Sequence, residues 1–479
     1  MKEGLLFING EWITSETNQW IDVENPASAE IVGRVSDAGA SETRLAIAAA
    51  EEAFSLWSQL PAKERADYLM AVGKKMMDRQ KELAMLLTHE QGKPLAESLG
   101  EIAISADYLF WNAEEAKRVY GETIPASSSN KRMLAIRQPL GVCAAITPWN
   151  FPAMMITRKI GPALAAGCTV VVKPASYTPL TAVAIMEIFE EVGIPKGVVN
   201  LVTGSASEIS GELMSNNTVR KISFTGSTAV GKLLMRDAAD QVKKLSLELG
   251  GHAPLIIFSD ADLDAAVQGV MNSKFRNAGQ MCVCVNRLYV ERSVAEEVTS
   301  KLAKAAAALK VGNGLDSGVE VGPLINRKAI DHIQSQVDDA LTKGAKVITG
   351  GCTVGMNGEQ TGAFYQPTIL SNVSDDAIIQ SEETFGPVLP IWVFDDEQEV
   401  VQKANDSEYG LAAYLYTRDL ARSVRVSEAL EYGIVGINDT GVAAVQAPFG
   451  GMKQSGFGVE GGYYGVEEYT QIKYISVQI

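Results

Sequence analysis

Two α/β units in tandem, accompanied by a small β element, are what this chain of 479 residues predicts. The length exceeds what one compact core accommodates, so more than one domain is expected. From about residue 140, short β-rich runs alternate with amphipathic segments, the pattern of a parallel sheet covered by helices on both faces. The alternation starts again near residue 254 and continues to about 438.

The elements follow in order. Phe7-Ile8-Asn9-Gly10-Glu11-Trp12-Ile13 sets Asn-Gly between apolar residues, a two-residue hairpin signal. Residues 41–118 space their apolar positions by three and four, as helices do, with Pro61 suited to a first helical turn. Strands are expected at 141–147, 169–173, 198–202, 221–224 and 245–248, with helices at 182–192 and 229–239 among them. The second unit should include helices at 295–309 and 327–343. Two runs stand apart, 131–137 and the alternating tail 470–477. Both read as edge strands, which invite pairing with another chain, so they are expected to meet in an oligomerisation element. The alternative is a strand that caps its own domain.

Composition narrows the function classes. A net charge of -16 argues against nucleic acid as a partner, because phosphate binding needs clustered Lys and Arg. The longest apolar run, 160–172, contains Pro162 and falls short of the roughly 20 residues of a membrane span. No secretory signal is expected behind Met1-Lys2-Glu3-Gly4. Five cysteines do not resemble a disulfide framework, and a cytoplasmic protein with reduced thiols is expected. His89, His252 and His332 are the only histidines and are far apart, and no Cys-x-x-Cys occurs, so no metal is expected. The absence of a Gly-x-Ser-x-Gly elbow disfavours a serine hydrolase.

Five segments carry possible chemistry. Asn277-Ala278-Gly279-Gln280-Met281-Cys282-Val283-Cys284 follows a helical segment, and its thiol alone could be a nucleophile, a metal ligand, a redox partner or core. Phe224-Thr225-Gly226-Ser227-Thr228-Ala229-Val230-Gly231-Lys232 follows a strand and opens a helix, where glycine and the helix N-terminus suit a phosphate. It is neither a P-loop, since Leu233 replaces the required Ser or Thr, nor a Gly-x-Gly-x-x-Gly fingerprint; a plain tight turn is as good a reading. Val172-Lys173-Pro174-Ala175-Ser176 ends a strand at the carboxyl edge where α/β sheets bind ligands, although a solvated lysine is common there. Prolines bracket Asn150 in Pro148-Trp149-Asn150-Phe151-Pro152, a rigid loop able to aim an amide at an oxyanion. Glu248 precedes Leu249-Gly250-Gly251 and suits a general base in an open turn, although a lone Glu is usually a surface residue.

Together with Glu382-Glu383-Thr384-Phe385-Gly386-Pro387 and Pro448-Phe449-Gly450-Gly451-Met452-Lys453-Gln454-Ser455-Gly456, these segments resemble the aldehyde dehydrogenase superfamily from about Phe7 to the C-terminus. The resemblance implies a Rossmann-type dinucleotide-binding domain (1–122 and 142–249), an α/β catalytic domain (250–440) and an oligomerisation element (123–141 and 455–479) of a homodimer or homotetramer. It implies Cys282 as nucleophile, Asn150 with the Cys282 backbone N–H as oxyanion hole, and Glu248 as the base that activates water. Lys173, Ser176, Gly226 and Ser227 would hold the adenine end and pyrophosphate. Trp149 and Leu249 would join that binding surface, with Glu383 on the nicotinamide ribose and Phe385 beside the ring. The implied reaction oxidises an aldehyde to an acid through a cysteine thioester, with a nicotinamide cofactor as hydride acceptor.

Within the superfamily the chain is most similar to succinate-semialdehyde dehydrogenases. Arg158 and Arg276 match their positions for the substrate's distal carboxylate, and Arg binds carboxylates in a bidentate way. The subfamily's serine before the Pro-Phe-Gly-Gly motif is Ala443 here, which keeps glutarate semialdehyde, another semialdehyde or lactaldehyde as alternatives to succinic semialdehyde. Ser176 replaces a glutamate that would repel a 2′-phosphate, so NADP is favoured, with NAD as the alternative. Cys284 is a candidate redox partner of Cys282, by a strained and easily reduced bond, or else a small buried residue. A CoA-acylating enzyme is the competing class, and the implied base Glu248 argues against it. A non-catalytic protein that kept the fold is the other alternative, opposed by the intact set Asn150, Glu248, Cys282 and Glu383.

Overall fold

A computed structural model describes residues 2–355 and 362–479. The strands Leu6–Ile8 and Glu11–Ile13 form the expected hairpin. Asn9 and Gly10 both have positive φ, as a two-residue turn of this hand demands. Four helices follow, Ala40–Trp57, Ala62–Asp78, Gln80–Gln91 and Leu95–Ala116. Pro61 stands at the N-cap, one residue earlier than the first turn, where its missing N–H also costs nothing.

The expected strands assemble into an eight-stranded sheet. Its centre is parallel, in the spatial order Lys244–Glu248, Val219–Thr225, Val142–Ile146, Thr169–Lys173, Val199–Leu201. Chain direction across the sheet reverses at Val142–Ile146, which has Thr169–Lys173 on one side and Val219–Thr225 on the other. Ligands of open α/β sheets bind outside the carboxyl ends at such a switch point, and here those ends lead into Pro148-Trp149-Asn150 and Gly226-Ser227.

A second sheet of seven strands has Val285–Glu291 in its middle, flanked by Ala253–Ile257 and Val388–Phe394, and packs against its own core. The strands Lys131–Pro139 and Thr470–Gln478 pair antiparallel along their whole length, with Glu122–Ile124 as the third strand of that sheet. Ile472 (68% exposed) and Tyr474 (54%) project from the tail strand. The segment that follows residue 455 divides between two places. Gly456–Phe457 pairs with Leu247 and Glu248 at the edge of the first sheet, and only the later residues reach the three-stranded one.

Candidate active site

The sheets bring the sequence-distant segments together around Cys282. One cleft is lined by Pro148, Trp149, Asn150, Thr225, Gly226, Ser227, Leu249, Gly250, Cys282, Glu383 and Phe385. A second pocket meets the same thiol from the other side, and its walls include Phe151, Met155, Arg158, Arg276, Ala443 and Phe449. Cys282 is therefore reachable from two directions, one suited to a cofactor and one to a substrate.

Around the thiol the geometry is tight. Cys282 Sγ donates to Glu248 Oε1 at 3.0 Å, and Thr225 Oγ1 donates to Glu248 Oε2 at 3.1 Å. Burial pushes the Cys282 thiol well above its ordinary pKa, the Glu248 carboxylate adds to this, and Arg158 opposes it. Asn150 is buried and its Nδ2 donates to the Gln280 carbonyl at 3.0 Å. That bond uses one of its two N–H groups and leaves the other for an oxygen in the cleft. Close approach explains the glycine after Gly250: a Cβ at Gly251 would lie 2.2 Å from the Cys282 carbonyl oxygen.

On the cofactor side, Glu383 Oε1 accepts from the Gly251 N–H at 2.9 Å, and loss of water pushes its carboxyl up to about 7. Trp149 and Phe385 meet edge to face at 5.6 Å, with Phe385 at positive φ. Ser227 caps the helix Thr228–Ala239 through the Val230 N–H. Lys173 is buried at the end of its strand, and desolvation alone pulls its ammonium down to about 8; among the described residues no carboxylate pairs with it. An unneutralised cation at this edge fits the hydroxyls or phosphate of a nucleotide. Ser176 lines a different pocket, beside Asn25, Tyr177 and Asn326.

The two arginines differ. Arg276 is exposed, its guanidinium 5.9 Å from the Phe151 ring, at a mouth shared by the second pocket and an outer one. Arg158 is fully buried. Its Nε lies 3.0 Å from Glu460 Oε2 and its Nη1 3.7 Å from Glu248 Oε2, and it stacks on Phe449 at 3.7 Å. Burial works against its charge, but Tyr108 and the two carboxylates more than offset this and hold its pKa raised. Nε and Nη2 make no hydrogen bond and Nη1 reaches only Met155 Sδ at 4.0 Å, so Arg158 is held by its ion pairs and by Phe449 while it lines the second pocket. Neither Glu460, which also binds Lys159, nor Thr225 was singled out by sequence, because neither has a local signal: each acts through a partner hundreds or tens of residues away. Cys284 is fully buried with its sulfur toward the carbonyls of Lys274 and Val285 at 3.9 and 3.6 Å, and both cysteines are free thiols. No cluster of metal-ligating side chains occurs among the described residues.

The model of the aldehyde dehydrogenase family matches residues 12–475. The chain is 54% identical over 473 residues to a glutarate-semialdehyde dehydrogenase of Pseudomonas putida, covering 99% of this chain and 97% of that one. It is 55% identical over 470 residues to an NADP(+) succinate-semialdehyde dehydrogenase of Escherichia coli K12, covering 98% and 97%. A crystal structure of an Escherichia coli NADP-dependent enzyme superposes with a TM-score of 0.98 at 54% identity, covering 100% of this chain and 98% of that one. The chain belongs to the aldehyde dehydrogenase family. Its function is NAD(P)-dependent aldehyde oxidation.

Proposed function

We propose that this enzyme oxidises a short aldehyde with a distal carboxylate, succinic or glutaric semialdehyde, to the diacid, with NADP preferred over NAD. One observation carries the substrate reading: the pocket that shares only Cys282 with the cofactor cleft is also lined by the exposed Arg276, which has no ion pair among the described residues. A carboxylate at the far end of the substrate satisfies that cation. Ala443 on the same wall leaves room for the longer of the two semialdehydes.

The reaction follows from the side chains present. Cys282 surrenders its proton toward Glu248 and its sulfur adds to the aldehyde carbon. The free N–H of Asn150 and the backbone N–H of Cys282 stabilise the resulting alkoxide, one good donor being worth about 3 kcal/mol. A nicotinamide cofactor would supply the hydride acceptor; Lys173, Ser176, Gly226, Ser227 and Leu249 would hold its adenosine and pyrophosphate end, and Glu383, Phe385 and Trp149 its nicotinamide end. Glu248 first passes the thiol proton to solvent; it then deprotonates the water that hydrolyses the thioester on Cys282, and that second proton returns to the departing thiolate to restore the thiol. Arg158, beside Glu248 and Glu460, orients the base and also lines the pocket proposed for the substrate.

Residues 1–122 and 142–249 serve as the cofactor domain and 250–440 as the catalytic domain, and the exposed strand Thr470–Gln478 supports assembly into two or four copies. Five free thiols agree with a cytoplasmic setting, and no described helix is long and apolar enough to cross a membrane. The test is formation of reduced cofactor from each semialdehyde with NADP and with NAD, without coenzyme A. Turnover that requires coenzyme A, or equal kcat/KM for propanal and the semialdehydes, overturns this reading.

A further inference from the structure

Around the oxyanion donor Asn150 lies a buried polar network whose other members the chemistry above does not use. Gln91, Lys93, Glu101, Asn150, Asn277 and Gln280 are all almost wholly shielded from water. The Lys93 backbone N–H, an unambiguous donor, meets Gln91 Oε1 at 3.0 Å, so Gln91 presents Nε2 to Asn277 Oδ1 at 2.9 Å. Asn277 must then turn its Nδ2 the other way. There it meets two carbonyl oxygens, that of Asn150 at 3.1 Å and that of Gln280 at 3.2 Å. The Gln280 oxygen is the one that accepts from Asn150 Nδ2, and the Asn150 oxygen also accepts from Lys93 Nζ at 2.7 Å. Lys93 is in turn paired with Glu101, whose other oxygen receives the N–H groups of Ala153 and Met154.

One amide thus ties the backbone of the oxyanion loop to the backbone two residues before the nucleophile. The conformation that permits it is unusual: Asn277, Ala278 and Gly279 run consecutively through positive φ, at 48°, 53° and 75°. Such stretches persist only where the surroundings over-determine them, and they concentrate at functional sites. The fit is close, since a Cβ at Gly279 would stand 2.2 Å from the Gly386 carbonyl oxygen.

We propose that Asn277, oriented by Gln91, is a positioning residue that sets the distance between the Asn150 amide and Cys282 and so determines the rate of acylation. The inference rests on Asn150 and Cys282 being the donor and the nucleophile. It touches no substrate. Its effect is geometric, and a displacement of about 1 Å in such a pair costs about 10²-fold in rate.

Asn277→Gly separates this role from backbone strain, because glycine accepts the left-handed conformation and loses only the amide. The measurements are the single-turnover rate of reduced-cofactor formation, the KM for aldehyde, and the rate of Cys282 alkylation by iodoacetamide, which needs no oxyanion donor. The expected result is about a 10²-fold slower single turnover with KM and alkylation unchanged. Single turnover and alkylation slowed in proportion would mean a loosened nucleophile loop and would overturn the proposal, as would no change in either. Should Asn277→Gly not fold, Gln91→Glu keeps the shape of Gln91 while removing its donor to Asn277, and the same selective loss is expected; an unchanged rate overturns the role. Asn150→Ala is the control. If it turns over as fast as the parent enzyme, the assignment of the oxyanion donor fails and the positioning role with it. If it is slow while both other variants are fast, only the positioning role fails.

Discussion

Replacing Glu248 by Gln separates the two halves of the reaction. The amide keeps the shape of the carboxylate, its contact with Thr225 and its place 3.0 Å from Cys282 Sγ, but loses the charge and the basicity. A general base contributes about 10²–10⁴-fold, so hydrolysis of the thioester should slow by that factor, roughly 3–5 kcal/mol of barrier. The first half should respond differently. Burial is the main cause of the high Cys282 pKa and the Glu248 charge the next, so neutralising Glu248 moves the thiol pKa down. At alkaline pH the thiolate then forms by losing its proton to solvent. The expected trace is a burst of reduced cofactor close to one per active site, followed by a steady state slowed by the factor above. Rapid-mixing absorbance measures both phases, and iodoacetamide alkylation against pH locates the thiol pKa. An unchanged steady state refutes Glu248 as the base for hydrolysis, and a missing burst or a thiol pKa that rises refutes the separation of roles.

Other outcomes follow from the same structure. Arg276→Ala should raise the KM for both semialdehydes about 10–100-fold, the worth of a charged hydrogen bond, and leave propanal unaffected; equal effects exclude the carboxylate clamp. Cofactor affinity should be bell-shaped in pH. Below about 7 Glu383 takes up a proton and loses its acceptor for a ribose hydroxyl, and above about 8 Lys173 loses the charge that attracts the adenosine end. Glu383→Gln should flatten the acid limb and Lys173→Met the alkaline limb, checked by fluorescence titration of cofactor binding. Lys93→Met leaves Glu101 buried without its cation and should destabilise the fold by about 3–5 kcal/mol, read from denaturant midpoints. The double replacement of Lys93 and Glu101 by apolar residues should recover most of that loss.

Periodicity was enough to read the alternation of strands and helices, because the period of an amphipathic helix and that of a strand are local properties of the chain. The hairpin at Asn9-Gly10 was equally legible, since its turn needs positive φ at two neighbouring residues. Pro61 shows the usual limit, an element end displaced by one residue. The pairing of 131–137 with 470–477 was anticipated because neither run had another partner in the alternating scheme, whereas the insertion of Gly456–Phe457 beside Glu248 was not, since two residues carry no period.

The chemical inventory was in the sequence itself: a cysteine after Gly-Gln-Met, a bracketed asparagine, a glutamate before Gly-Gly and a lysine at a strand end, each recognisable from its neighbours. How each is spent was decided by tertiary structure. Arg158 and Arg276 look alike in sequence, yet folding buries one against two carboxylates and leaves the other at a pocket mouth. Asn277 reads as an ordinary polar residue until Gln91 and Asn150 arrive beside it. Local patterns reflect the backbone's own preferences, whereas burial and charge pairing depend on residues brought together from tens to hundreds of positions away, and those set what each functional group can do.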